Sequence, residues 1–154
     1  MSANLFDDEL EEGFDREGFR HRGAAIGEQA GTSRIGASLY EVEPGQATCP
    51  YHWHAGNEEM LLVLSGTLAV RTPEGEREVD AGEVIAFPRG ERGGHQLIAR
   101  GDQPARFLMV SELNRPDIVV YPDSGKVGVR AEGLRFNFRT ADAVDYFDGE
   151  EPPR

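Results

Sequence analysis

The sequence predicts an all-β domain, a sandwich or small barrel, on three observations. Short strand-like pieces of four to eight residues recur from Phe19 onward. Gly/Pro turn chemistry separates them, drawn from 19 glycines and 9 prolines. No long helical pattern runs outside the two ends. Regularly spaced short strands with such punctuation belong to sandwiches and barrels.

Residues 1 to 18 are acidic and weakly periodic, and read as a tail or a short surface helix. Strands are expected at Phe19–Ile26, Gly36–Glu43, Glu59–Leu64, Thr67–Thr72, Glu76–Val79, Glu83–Phe87, His95–Ala99 and Arg106–Ser111. The breaks fall at Pro44-Gly45, Ser65-Gly66, Pro73-Glu74-Gly75, Ala81-Gly82, Arg89-Gly90 and Gly101-Asp102, all of them turn chemistry. After Arg115-Pro116, Ile118–Tyr121 and Leu134–Phe138 read as further strands around a loop at 121–126. Ala141–Phe147 reads as a short helix with Thr140 as N-cap. The expected organisation is therefore a 1–18 tail or short helix, a barrel over 19–115 and a C-terminal extension over 116–154 packed on it.

A chain of 154 residues suggests one domain, which can bury roughly 68–70% of its unfolded surface. The formal net charge is −12. Such a surface repels phosphate backbones and anionic lipid, which argues against nucleic acid and membrane partners. It reads otherwise as a solvated acidic surface. No apolar run approaches the ~18–20 residues that cross a bilayer, and the acidic start is not a secretory signal. The single Cys49 forms no intramolecular disulfide and gives no reason for an oxidising compartment. A cytoplasmic location is the expectation.

The chemistry concentrates in His52-Trp53-His54 and Glu59. Strand alternation puts His52 and His54 on one face, about 7 Å apart. If the next strand starts at Glu59, that carboxylate shares a face with Leu61 and Val63. A buried unpaired carboxylate costs several kcal/mol, a cost that a cation removes. His95, after a glycine-rich turn, shares a face with Leu97 and Ala99. These four residues are the candidate ligands of one divalent transition metal, provided the fold returns His95 to the others. Glu58 reads as solvent-facing and His21 as an ordinary surface residue. Cys49, three residues before His52, falls on the opposite strand face and reads as a structural or unligated thiol. Tyr40 reads as a core residue on a strand, Lys126 as part of a surface turn.

The wider spacing resembles the cupin family. Its first motif, G-x5-HxH-x3,4-E-x6-G, is matched by Gly45, His52, His54, Glu59 and Gly66, with one extra residue after Gly45. Its second, G-x5-P-x-G-x2-H-x3-N, is matched by Gly82, Pro88, Gly90 and His95. The gap before His95 is longer by two, and Ala99 replaces the closing asparagine. The intermotif stretch, Thr67 to Ala81, is at the short end, and the resemblance covers roughly residues 36 to 112. It implies a double-stranded β-helix, the jelly-roll barrel, with His52, His54, Glu59 and His95 as metal ligands.

Mixed nitrogen and oxygen donors suit Fe, Mn, Ni, Zn or Co rather than Ca or Mg. Four protein ligands leave up to two octahedral positions open. The resemblance implies two functions. One is an enzyme acting on a small oxygen-bearing substrate (carboxylate, sugar or aromatic) as dioxygenase, isomerase, decarboxylase or lyase. The other is a non-catalytic metal- or sugar-binding cupin, acting as a sensor or storage-like protein. It also implies a homodimer. No residue is singled out as a catalytic acid or base.

Overall fold

The computed structural model describes residues 2–6 and 9–152. Its strands are β1 (Glu11–Arg16), β2 (Phe19–Ala24), β3 (Ile35–Val42), β4 (Trp53–His54), β5 (Glu59–Ser65), β6 (Thr67–Thr72) and β7 (Gly75–Asp80). They continue as β8 (Val84–Phe87), β9 (Gln96–Arg100), β10 (Ala105–Glu112), β11 (Asp117–Tyr121), β12 (Lys126–Ala131) and β13 (Leu134–Arg139). One short helix, α1 (Ile26–Ala30), follows β2.

The strands form a six-stranded sheet ordered β1-β2-β3-β10-β5-β8, a four-stranded sheet β13-β12-β11-β4 and a three-stranded sheet β7-β6-β9. All pairings are antiparallel. His52 and His95 exchange both backbone hydrogen bonds, at 3.1 and 2.9 Å. That bridge joins the segment before β4 to the start of β9, and so stitches the two smaller sheets together. The result is a jelly-roll β-barrel, with the six-stranded sheet as one wall and the two smaller sheets as the other.

Alternation explains the core. On β5, Leu61 and Val63 are buried while Met60, on the opposite face, is exposed. Leu68 and Val70 from β6, Leu97 and Ala99 from β9, and Phe107 from β10 close over them. Leu61, Leu68 and Phe107 have essentially no accessible surface. Glu59 sits on the inward face of β5, two residues before Leu61.

Three local expectations are corrected and one strand is added. The acidic start holds no helix among its described residues; Glu11–Arg16 is a strand paired with β2. All six of its residues are exposed, so no apolar period marked it. The expected Phe19–Ile26 strand ends at Ala24 and passes into α1. The expected loop after Tyr121 holds a 3-10 turn, Pro122–Ser124, and a strand absent from the expectations, β12, follows from Lys126. Finally, Ala141–Phe147 is not helical. A 3-10 turn spans Thr140–Asp142 and turns follow. The Thr140 N–H and hydroxyl both donate to the Gly125 carbonyl, at 2.9 and 3.2 Å, so the side chain ties two turns together instead of capping.

The two-residue lengthening before His95 has a place in the fold. Glu91–Gly93 coils into a 3-10 turn. The missing side chain of Gly93 lets that turn press against the Pro88 carbonyl. His95 thereby still reaches the His52 backbone.

Candidate metal centre

The fold brings His52, His54, Glu59 and His95 together. His54 lies on β4, Glu59 opens β5, and His52 and His95 face each other across their bridge. Ligand atoms of His52, His54 and Glu59 all lie within 4.8 Å of one another. His95 Nε2 is 3.3 Å from Glu59 Oε2, and His54 Nε2 is 3.5 Å from the same oxygen. The His52 and His95 ring centroids are 4.7 Å apart. Glu58 is exposed, as alternation requires.

The hydrogen bonds at the far side of each ring set its tautomer. His52 Nδ1 is 2.9 Å from the Pro50 carbonyl, and His95 Nδ1 is 2.9 Å from the Gly93 carbonyl. A carbonyl only accepts, so both Nδ1 atoms carry the proton. His54 Nδ1 bonds Asp117 Oδ2 at 2.5 Å. Each Nε2 lone pair is left to point inward. Burial, reinforced by His52, pushes the His95 imidazole down to about 3, so it stays neutral and able to ligate.

The centre of the cluster is consequently all acceptors. Glu59 Oε2 is buried with no hydrogen-bond partner, and imidazole nitrogens face it. Acceptors in mutual contact inside a barrel repel unless a cation lies among them. A divalent transition metal fits this donor set, and the orphaned carboxylate oxygen is the atom that asks for it.

Asp117 is a candidate supporting residue that spacing does not reveal. It opens β11, is buried, and accepts from the Gly56 N–H at 2.9 Å as well as from His54. Burial alone would raise its carboxyl. The bonds from His54 and Gly56 outweigh that and hold it below its usual range. Carboxylate behind imidazole is an arrangement that orients metal-binding histidines and raises their basicity. β11 reaches β4 through the pairs Val119↔His54 and Val120↔Trp53. That pairing delivers Asp117 from 63 residues away in sequence.

Cys49 is also corrected. The chain bends around Thr48, Cys49 and Tyr51, outside any strand, so alternation does not hold there, and Sγ lies 3.7 Å from His52 Nδ1 instead of on the opposite face. Burial pushes the thiol up to about 11, so it remains protonated, and thiols ligate as thiolates. His21 is not a plain surface residue either. Its ring packs edge-on against Phe14 and Tyr40, with centroids at 5.5 and 5.2 Å, and its Nδ1 is buried without a partner. Burial lowers its pKa. Lys126 lies over the Tyr121 ring, its Nζ 5.1 Å from the centroid.

Cavities lie on both sides of the cluster. The inner one, about 250 Å³, includes Tyr40, Cys49, His52, Glu59 and His95 in its lining. The outer one, about 400 Å³, runs from His52, His54 and Glu59 past Asn57 and Tyr121 to Arg115 and Arg135. It opens to solvent where those two arginines are exposed. Asn57 is buried and grips the backbone of Asn114, accepting from its N–H at 2.7 Å, which holds the cavity rim in place.

Fold and cluster define a class: a jelly-roll barrel with one histidine–carboxylate centre in its wall. Residues 38–111 match the family model described as "Cupin domain", and the chain is a small cupin-type protein. A curated relative, the tetracenomycin polyketide synthase protein TcmJ of Streptomyces glaucescens, is 31% identical over 80 residues. That match covers 51% of this chain and 52% of TcmJ, so the chain aligns with about half of that relative's length. A structure described as a sugar phosphate isomerase from a cupin superfamily, from Silicibacter pomeroyi, is 25% identical with a TM-score of 0.79. It covers 92% of this chain and 95% of that one. A structure from Acidithiobacillus ferrooxidans has a TM-score of 0.81 at 24% identity, over 89% and 88% of the two chains. The polyketide cyclase RemF of Streptomyces resistomycificus is 28% identical, with a TM-score of 0.58 over 75% of this chain and 82% of RemF. Among the described residues, no helix is long and apolar enough to cross a membrane.

Proposed function

We propose that the protein is a metal-dependent enzyme. It acts on a small oxygen-bearing substrate held at one divalent transition metal, with His52, His54, Glu59 and His95 as ligands. The observation that carries this reading is the orphaned Glu59 Oε2 facing the imidazole nitrogens. When bound, the metal supplies Lewis-acid polarisation of a substrate oxygen.

The chain's own part is to hold and orient. Nδ1–H bonds lock the His52 and His95 rings, and Asp117 locks His54. Tyr121 stacks on the His52 ring at 5.8 Å, which keeps that side of the outer cavity rigid. The cavity of about 400 Å³ is at the size of small-molecule sites, and it reaches the ligands directly. A centre kept for structure alone has no use for such an approach. Among the reaction classes open to this fold, isomerisation is favoured by the likeness to the sugar phosphate isomerase structure. That likeness runs through nearly the whole chain, whereas the match to RemF is less extensive.

Metal analysis of protein purified without chelator tests the reading. About one transition metal per chain is expected, and His52→Ala or His54→Ala should remove most of it. Retention of metal by both variants would sink the ligand assignment. NMR of sugar phosphates incubated with the loaded protein, beside an oxygen-consumption assay, tests the reaction class. Oxygen uptake without isomerisation would overturn the isomerase reading.

A further inference from the structure

We propose that Arg115, Arg130 and Arg135 form a subsite for a doubly charged oxyanion, the phosphate group of the substrate. This rests on the reading of the outer cavity as the substrate site. All three residues line that cavity together with His52, His54 and Glu59.

Their charges are unspent. Elsewhere in the chain Arg71, Arg77, Arg89 and Arg100 each reach a carboxylate, at 2.5–3.2 Å. Among the described residues, Arg115, Arg130 and Arg135 reach none. Of the carboxylates on the same cavity, Glu112 pairs with Arg89 at 2.5 Å and Asp117 with His54, while Glu59 turns its free oxygen to the imidazole cluster and the metal position among them. In a chain of net charge −12, three guanidinium groups without an acid on one cavity wall are a local positive field.

Arg130 is also held in place. Its guanidinium donates to the carbonyls of Val129 and Phe136 at 3.1 and 2.9 Å, and to Asn137 Oδ1 at 2.9 Å. All of these partners are neutral, so they fix the side chain and leave its charge. Gly128 makes the room, since a Cβ there would stand 2.9 Å from both Arg130 terminal nitrogens. Arg135 lies directly across from Arg130 in the β12–β13 register. Like charges directly opposed destabilise a sheet, and an anion between them reverses that. Arg115 approaches from the segment between β10 and β11. Planar guanidinium forks suit phosphate oxygens, and three cations match a dianion better than a monocarboxylate.

The test is calorimetric titration of inorganic phosphate, and separately of acetate, into the metal-loaded protein at low salt. It is repeated with Arg115→Gln, Arg135→Gln and the double variant, metal content being measured in every sample. Phosphate is expected to bind the native protein and to weaken about tenfold per exchanged arginine, with metal content unchanged. Arg135→Lys, which keeps the charge, should retain more affinity than Arg135→Gln. Acetate should bind at least about tenfold more weakly than phosphate. The proposal is overturned if the glutamine variants bind phosphate as the native protein does, or if chelation alone abolishes binding and so places phosphate on the metal. Equal binding of acetate overturns it too. Native protein that holds no metal yet binds phosphate through these arginines would remove the metal reading and leave the subsite standing.

Discussion

At the scale of single residues, the ligands and their supports had very different visibility. His52, His54 and Glu59 lie within eight positions, and strand alternation puts them on inward faces. His95 is legible because a glycine- and proline-marked turn precedes it. Asp117 carries no such mark, since its partner is 63 residues away and only the β11–β4 pairing joins them. Asp117→Asn tests its role. Asparagine keeps one acceptor oxygen, for the Gly56 N–H, and turns its NH2 toward His54 Nδ1, so the backbone contact is expected to persist while the charge and the acceptor behind His54 are lost. Metal affinity, measured by chelator competition, should fall by about 10–100-fold. Unchanged affinity would mean that Asp117 serves only the backbone at Gly56.

At the scale of elements, strands with apolar alternation are readable, β13 among them although all its residues are exposed, while β1 and β12 are not. β6 was read at its observed limits, and β5, β8 and β10 to within a residue at either end, because apolar alternation and a turn bound each. β1 has no apolar face to read. β12 hides behind Lys126 and Gly128, and its place is set by neighbours on both sides. The turn between β5 and β6 depends on Gly66, with φ +74°, where a Cβ would meet the Pro104 carbonyl oxygen at 2.7 Å and Ala105 Cα at 2.8 Å. Both obstacles are backbone and cannot swing away. Gly66→Ala is expected to cost about 1–2 kcal/mol for the left-handed conformation, with a further cost from the clash. Denaturant midpoints measure it, and a loss below about 0.5 kcal/mol would show that the turn re-forms freely.

At the scale of the whole molecule, the candidate metal centre is a junction of sheets. His54 belongs to the four-stranded sheet, Glu59 to the six-stranded sheet, and His95 leads into the three-stranded sheet. One ion would therefore tie both walls of the barrel together. Ligation stabilises the folded state by about 4 kcal/mol when free metal is a thousandfold above its Kd. Chelation should accordingly lower the melting temperature of the native protein, and His54→Ala should abolish that chelator-dependent difference. Equal chelator sensitivity in the variant would place the stabilising ion elsewhere.

The sequence by itself determined the all-β class, the inward-facing His52, His54 and Glu59, and the candidacy of His95. Those follow from a two-residue period and from turn residues, which are local properties of a chain. Only the tertiary structure decided what stands behind and beyond the ligands: Asp117 on His54, Cys49 beside His52, His21 against Tyr40, and the arginines on the cavity wall. Each of these depends on strand pairing or on a turn that breaks alternation, and neither is encoded in the spacing of the residues it brings together.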